Sequence, residues 1–202
     1  MGDSKIDISL LKAERRLKII FFYIFILVPI VFMVSCKQEK ADISEKGSYF
    51  DLKAVVEDDI AYNTKNACAE LKQVMVNSIQ ERKFIANVDW YKELQAILES
   101  DINKPAWKGK FLVDTIMGDL SGQYTIQYSA ISDKINIKLL KVSFVNGHLE
   151  KIYILKQIQS FIFASNQTIE YFPKKGFKVS GEQRAVMMKK FDLNVEVNYS
   201  CK

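Results

Sequence analysis

The sequence is poor in the residues from which catalytic and metal sites are usually built. Its 202 residues include a single histidine, His148. Its three cysteines lie far apart, at Cys36, Cys68 and Cys201. Zinc needs about four grouped nitrogen or sulfur ligands, and no serine or cysteine nucleophile can be tied to His148, which we expect in an exposed turn. We therefore predict no metal, no cofactor and no enzymatic activity.

Acidic residues near the end of a predicted helix are the remaining catalytic candidates. Glu93 and Glu99 are six residues apart, which places them on different sides of a helix and away from a shared proton. Asp101 and Asn103 could form a site with Trp107 where a helix meets a strand. Because Asp and Asn commonly bond to local backbone groups, we favour a structural role for both, with Trp107 in the core.

The chain also lacks a strong charge of one sign. Residues 1–35 hold five basic and three acidic residues, so without them the formal net charge falls from +5 to +3. This balance gives no reason to expect nucleic-acid binding. A possible patch for anionic surfaces comprises Lys174, Lys175, Lys178, Lys189 and Lys190. We favour the ordinary interpretation, in which these are solvated lysines that protect strand edges from aggregation.

The one long apolar run, residues 19–34, is too short for a comfortable transmembrane helix, which needs about 20 residues. Basic residues precede it and Ser35 follows it, as in a secretory signal peptide. Met33, Val34, Ser35 and Cys36 resemble the lipobox of bacterial lipoproteins. The resemblance implies a lipid such as palmitate on Cys36, removal of residues 1–35, and anchoring in the cell envelope, facing the periplasm or the cell surface. The alternative is an uncleaved anchor helix.

Two organisational predictions follow from this leader. Residues 36–47 are a polar tether, and residues 48–202 form a single domain. In an oxidising compartment Cys68 and Cys201 could form a disulfide. We favour the alternative, in which both remain thiols in apolar surroundings.

The first part of the domain has helical periodicity, with Ser48 and Asp51 as capping residues. We predict a helix over residues 49–69, and short strands over 72–76 and 82–86 around Asn77 and Ser78, unless the helix persists. Asp89 begins a second helix, which Pro105 ends.

Beyond Trp107 the apolar period becomes 2, typical of strands. The predicted strands are residues 111–117, 124–131, 135–145, 148–158, 160–164, 168–172 and 191–199. Asn146 and Gly147 predict a type I′ hairpin, and Asn166 a further hairpin. A slip in phase near Leu139 and Leu140 indicates a bulge. Aromatic residues expected mainly in the core are Tyr124, Tyr128, Phe144, Tyr153, Phe161, Phe163, Tyr171 and Phe172.

These elements predict an α+β fold with two helices on a curved, mostly antiparallel sheet of about seven to nine strands. Because some strands are apolar on both faces, we expect sheet curvature or a second layer opposite the helices. Asp89, Trp90, Glu93, Leu94, the stretch 99–107 (ESDINKPAW) and Tyr171, Phe172 and Pro173 resemble a family of small bacterial lipoproteins of unknown function.

This second resemblance implies a location in the cell envelope and a fold pattern, but it implies no catalytic residues. The architecture is also similar to half-barrel carriers of lipids, although fold does not determine function. We therefore expect a lipid-anchored binding or accessory protein of a membrane complex, or alternatively a carrier of a hydrophobic ligand in a groove of the curved sheet.

Overall fold

Within the described residues, nine strands form one open sheet, the main element of the fold. The structure is a computed structural model that describes residues 49–186 and 190–201, all within a compact unit spanning Lys46–Lys202. The strands are β1 (Ala69–Val76), β2 (Ile79–Ile85), β3 (Phe111–Met117), β4 (Gln123–Ala130), β5 (Ile137–Val145), β6 (His148–Gln159), β7 (Phe163–Phe172), β8 (Gly176–Ala185) and β9 (Phe191–Ser200). Their order is β2-β1-β9-β8-β7-β6-β5-β4-β3, and every neighbouring pair is antiparallel. The predicted α+β class with an antiparallel sheet is confirmed.

Two tight turns join strands where the sequence predicts them. Asn77 and Ser78 connect β1 to β2 with φ values of 45° and 76°, and Asn146 and Gly147 connect β5 to β6 with φ values of 51° and 76°. Positive φ at both central residues matches the right-handed twist of the flanking strands. The pairing of β5 with β6 shifts register between Ile137 and Leu139, which confirms the predicted bulge.

The predicted hairpin around Asn166 is wrong. Asn166 lies inside β7, which pairs continuously with β6 on one side and β8 on the other. The sequence also gave no indication of β8, because Gly176 and Gly181 resemble turn residues. Gly176 is needed for packing: it has φ +148°, and a Cβ there would lie 2.0 Å from the carbonyl oxygen of Val197 in β9.

The helices are shorter than predicted. Helix α1 is Leu52–Lys65, and the Asp51 carboxylate accepts a hydrogen bond from the amide of Ala54 at its start. The prediction of a helix to residue 69 is wrong, because Ala67 has a positive φ of 45°. The second predicted helix consists of α2 (Trp90–Glu93), which Asp89 caps, and α3 (Gln95–Leu98). It ends before Pro105, which instead begins a 3₁₀ turn, Pro105–Trp107.

The core lies between the helices and one face of the sheet, here called the helix face. Leu52 and Val56 of α1 pack with Leu94 and Ile97 against apolar side chains of the central strands, such as Ile154. The bulge and the strand register place Tyr153 and Leu155 on the opposite, open face, where they are only half-buried.

Strand β6 therefore carries apolar side chains on both faces, as expected, but the open face also carries many polar side chains. At one end of the open face, polar side chains including Asn166, Thr168, Ser180 and Asn194 line a groove of about 490 Å³. A sheet with one apolar and one polar face can meet water directly on the polar side, so this face needs no second layer. The predicted signal peptide, Cys36, the tether, Ser48 and Lys189 lie outside the described residues.

Candidate functional site: the outer edge of β3

The two edges of the sheet differ strongly in chemistry. Strands β2 and β3 are the outermost strands. Strand β2 carries Glu81, Arg82 and Lys83 in succession at its centre, all exposed. Charged side chains on an edge strand discourage pairing with another chain. Although Ile79 and Phe84 near its ends are also exposed, the charged centre protects the β2 edge.

Strand β3 presents large apolar side chains to solvent. The exposed fractions are 67% for Leu112, 55% for Val113, 45% for Ile116 and 73% for Met117. Asp114 is the only charged residue of the strand. An exposed, apolar edge strand is a template for pairing with another extended chain. This edge is the candidate functional site.

The backbone hydrogen bonds show which part of the β3 edge is available. The amide of Gly118 donates to Gln123 O (2.8 Å), and the amide of Ile131 donates to Lys110 O (3.0 Å), so even-numbered residues bond toward β4. In an antiparallel pair the alternate residues point their amides and carbonyls outward. The outward residues are Phe111, Val113, Thr115 and Met117.

Two outward amides of β3 already have local partners. The amide of Phe111 donates to the hydroxyl of Tyr49 (3.2 Å), and the amide of Thr115 donates to the Asp114 carboxylate (2.8 Å). Tyr49 thus covers the start of the edge. The stretch from Val113 to Met117 can accept a partner strand if the Asp114 carboxylate releases the amide of Thr115. The recognition would combine backbone hydrogen bonds with pockets for alternate side chains.

A buried carboxylate attaches α1 to the sheet. Asp59 is 1% exposed and accepts hydrogen bonds from the hydroxyl of Tyr171 and from the amide of Lys174 (2.9 Å). Burial raises the pKa of Asp59, and burial together with the Asp59 charge raises the pKa of Tyr171. The hydroxyl of Tyr171 and the amide of Lys174 together satisfy the Asp59 carboxylate. The role of Asp59 is therefore to position α1 over the turn between β7 and β8.

A second buried carboxylate, Glu70 in β1, was not identified by the sequence analysis. It is 1% exposed and lies opposite Tyr199 of β9. Burial, and then the charge of Glu93, raise the pKa of Glu70 to about 7. Among the described residues, Glu70 Oε2 and the Tyr199 hydroxyl have no hydrogen-bond partner. Nothing in the strand pattern indicated that Glu70 faces the helices rather than solvent.

The other acidic candidates do not form a catalytic group. Glu93 pairs with Lys72 at 2.6 Å, and Glu99 accepts a hydrogen bond from Gln95 at 2.9 Å. Asp101 accepts from the amide of Asn103 at 3.2 Å. The structure therefore does not bring Glu93, Glu99 and Asp101 together around one proton.

Asn103 fixes the entry to α1. Its side chain accepts from the amide of Tyr49 (3.1 Å) and donates to the carbonyl of Phe50 (2.9 Å). Trp107 packs against the core, with Lys104 Nζ 4.5 Å from its ring centre. The local structural role expected for these residues is what the structure shows. His148 is exposed at the start of β6.

The described lysines of the predicted anionic-surface patch are paired with carboxylates. Lys174 lies 3.3 Å from Asp58, Lys175 3.3 Å from Glu150, Lys178 3.4 Å from Glu196, and Lys190 3.0 Å from Glu182. Lys174 and Lys175 form the turn before β8, whereas Lys190 follows the opposite end of that strand. The structure does not bring these lysines into one patch.

A disulfide joins Cys68 to Cys201, with an S–S distance of 2.05 Å and Cα atoms 4.1 Å apart. It connects the start of β1 to the end of β9, and Cys68 is buried. The preference for free thiols is therefore wrong, and the structure contains the bonded alternative.

The described part of the chain offers little further chemistry. In residues 49–186 and 190–201, no three His, Cys, Asp or Glu side chains are grouped closely enough to hold a metal ion. No helix in these ranges has the length and apolar composition required to cross a bilayer. No protein-family model matches the sequence, and no curated protein shows significant similarity to it.

Proposed function

We propose that this protein is a lipid-anchored protein of the bacterial cell envelope whose domain binds another envelope protein. The lipobox-like residues before Cys36 support the anchor, since the sulfur of that cysteine would carry the lipid. The disulfide between Cys68 and Cys201 supports the compartment, because structural disulfides persist mainly in oxidising environments. Removal of residues 1–35 would leave the domain on a polar tether that faces the periplasm or the cell surface.

The binding function rests on the exposed edge of β3. Val113 and Met117 present their side chains and outward backbone groups together, on a strand that the rest of the sheet holds in an extended shape. A partner strand could therefore bind without ordering β3 first, which lowers the entropic cost of association. Binding and not catalysis is the activity we assign.

The alternative function, a carrier of a hydrophobic ligand in a curved sheet, has weaker support. The groove on the open face is lined by amide, hydroxyl and carboxylate side chains such as Asn166, Ser180 and Asp192. Such groups suit a polar ligand, because an acyl chain would bury them without hydrogen bonds. Mass spectrometry of lipids extracted from the natively purified protein would test this alternative, which requires a bound lipid other than the anchor.

A photo-crosslinking amino acid at Val113 tests the binding function directly. We expect a discrete cross-linked product with one envelope protein in intact cells, and loss of that product when Met117→Lys is also present. The matched control places the same cross-linker at Gln80 on the protected β2 edge, where no product is expected. If neither Val113 nor Thr115 yields a product, the β3 edge is not the binding site.

A further inference from the structure

A tight turn between β6 and β7 holds two large apolar side chains in solvent. Residues 160–163 form the turn, in which the amide of Ser160 donates to Phe163 O (2.8 Å) and the amide of Phe163 donates to Ser160 Oγ (3.0 Å). Its central residues, Phe161 and Ile162, are 97% and 63% exposed. Central turn positions usually hold Gly, Pro, Asn, Asp or Ser. Local structure therefore gives no reason for a phenylalanine at position 161, and the prediction that Phe161 lies in the core is wrong.

Other exposed apolar residues lie at the same end of the sheet. The amide of Val186 donates to Ile162 O (3.2 Å), so the turn after β8 lies beside the turn before β7. Ile131 follows β4 and Ile79 begins β2, and the antiparallel register puts both at this end. We call this end, with exposed Ile79, Ile131, Phe161, Ile162 and Val186, the apolar end.

The chain enters the domain at the apolar end. The ring of Tyr49 lies 5.4 Å from that of Phe111, which pairs with Ala130 immediately before Ile131. Residues 36–48, which precede Tyr49, could extend by about 40 Å at about 3.3 Å per residue. A bilayer that holds Cys36 could therefore contact the apolar end as well as the opposite end of the sheet.

Several charged side chains near the apolar end are paired with one another. Lys190 lies 3.0 Å from Glu182 and 3.3 Å from Asp192, and Lys138 lies 3.8 Å from Asp133. Paired charges offer little net attraction to anionic headgroups. Contact with a membrane here would depend on apolar side chains, each of which gains free energy on leaving water.

We propose that the apolar end inserts Phe161, Ile162 and Val186 into the surface of the lipid bilayer that holds the Cys36 anchor. This inference rests on the proposed lipid anchor. With this insertion the protein would contact the membrane at two places, the lipid on Cys36 and the turns of the apolar end. Two contacts would fix the orientation of the domain relative to the membrane. Strand β3 would then point away from the membrane surface, because the turns that contact the membrane lie at one end of the strands.

A fluorescent label tests the insertion in the natively lipidated protein. Ile162→Cys carries an environment-sensitive fluorophore, and the control is Leu120→Cys, which replaces a similarly exposed leucine (66%) in the turn after β3, at the opposite end. The disulfide leaves Cys68 and Cys201 unreactive, and an acylated Cys36 has no thiol. In phosphatidylcholine vesicles we expect blue-shifted emission and quenching by nitroxide lipids at position 162 and neither at position 120.

Polar substitutions and a second lipid composition complete the test. With Phe161→Ser and Ile162→Ser, a label at Val186→Cys should lose about tenfold or more of its lipid-contacting population, because each removed side chain contributes about that factor to membrane partitioning. Water-like emission at Ile162→Cys would overturn the proposal. So would contact only in vesicles with anionic phosphatidylglycerol that salt abolishes, which would indicate charge attraction. The acyl mass at Cys36, measured on the same sample, separates a failed anchor from failed insertion.

Discussion

The disulfide between Cys68 and Cys201 should contribute strongly to the free energy of unfolding. It closes a loop with a sequence separation of 133 between Cys68 and Cys201. A cross-link of this span removes chain entropy from the unfolded state, which in the loop-closure model corresponds to about 5 kcal/mol at 25 °C. We therefore expect a variant with Cys68→Ala and Cys201→Ala to lose up to that amount of unfolding free energy.

Urea unfolding of the oxidised protein and of the alanine variants measures this loss. Either single substitution removes the whole bridge, so each should destabilise the protein about as much as both together, unlike independent sites, whose effects add. Reductant should destabilise the native protein and leave the double variant unchanged. A double variant within about 1 kcal/mol of the oxidised protein would refute the assignment of a stabilising bridge.

Three further substitutions test the buried carboxylates and the β3 edge. Because the pKa of Glu70 is raised to about 7 in the folded state, the folded protein holds this proton at pH values where the unfolded chain has lost it. The unfolding free energy should therefore fall by about 3 kcal/mol as the pH rises from about 4.5 to 8. In urea titrations, Glu70→Gln should remove this decline. Tyr171→Phe removes a hydrogen bond to the buried Asp59 and should cost about 1–3 kcal/mol in the same assay. Val113→Lys should abolish partner cross-linking from Thr115 while changing unfolding free energy by less than about 0.5 kcal/mol.

Each of these expectations has an outcome that contradicts it. A pH dependence that persists in Glu70→Gln would place the titration on another group, such as Asp59. An unchanged stability in Tyr171→Phe would mean that the Asp59 bond contributes nothing net. Val113→Lys that unfolds the domain would show that the β3 side chain supports the core, contrary to its 55% exposure.

Local signals in the sequence predicted much of the sheet but not its full connectivity. Asn146 and Gly147 identified the β5–β6 hairpin because few residues adopt positive φ at both turn positions. Strand β8 was missed because Gly176 resembles a turn residue. In the structure this position is within a strand, and only glycine fits there because the carbonyl oxygen of Val197 lies too close for a Cβ. The hairpin assigned to Asn166 failed because side-chain type alone does not distinguish a turn from the polar face of a strand.

The candidate site was less predictable than the fold. The apolar residues of β3 suggested a strand, but periodicity does not reveal whether a strand lies at an edge. Glu70 and Asp59 gave no sequence signal, because their burial depends on how the helices pack on the sheet. Asp59 of α1 lies against Tyr171, whereas Glu70 lies opposite Tyr199, whose ring packs against Trp90 of α2. Asn103, by contrast, was assigned correctly to local backbone bonding, since that tendency is intrinsic to the side chain.

The mass of the mature N-terminus tests the central claim most directly. Intact-mass and peptide analysis of the protein from its native membrane should show a polypeptide that begins at Cys36 and carries a diacylglyceryl group on its sulfur, which Cys36→Ala would abolish. A chain that retains residues 1–35, or begins elsewhere without acyl mass, would contradict the account of a lipid-anchored envelope protein.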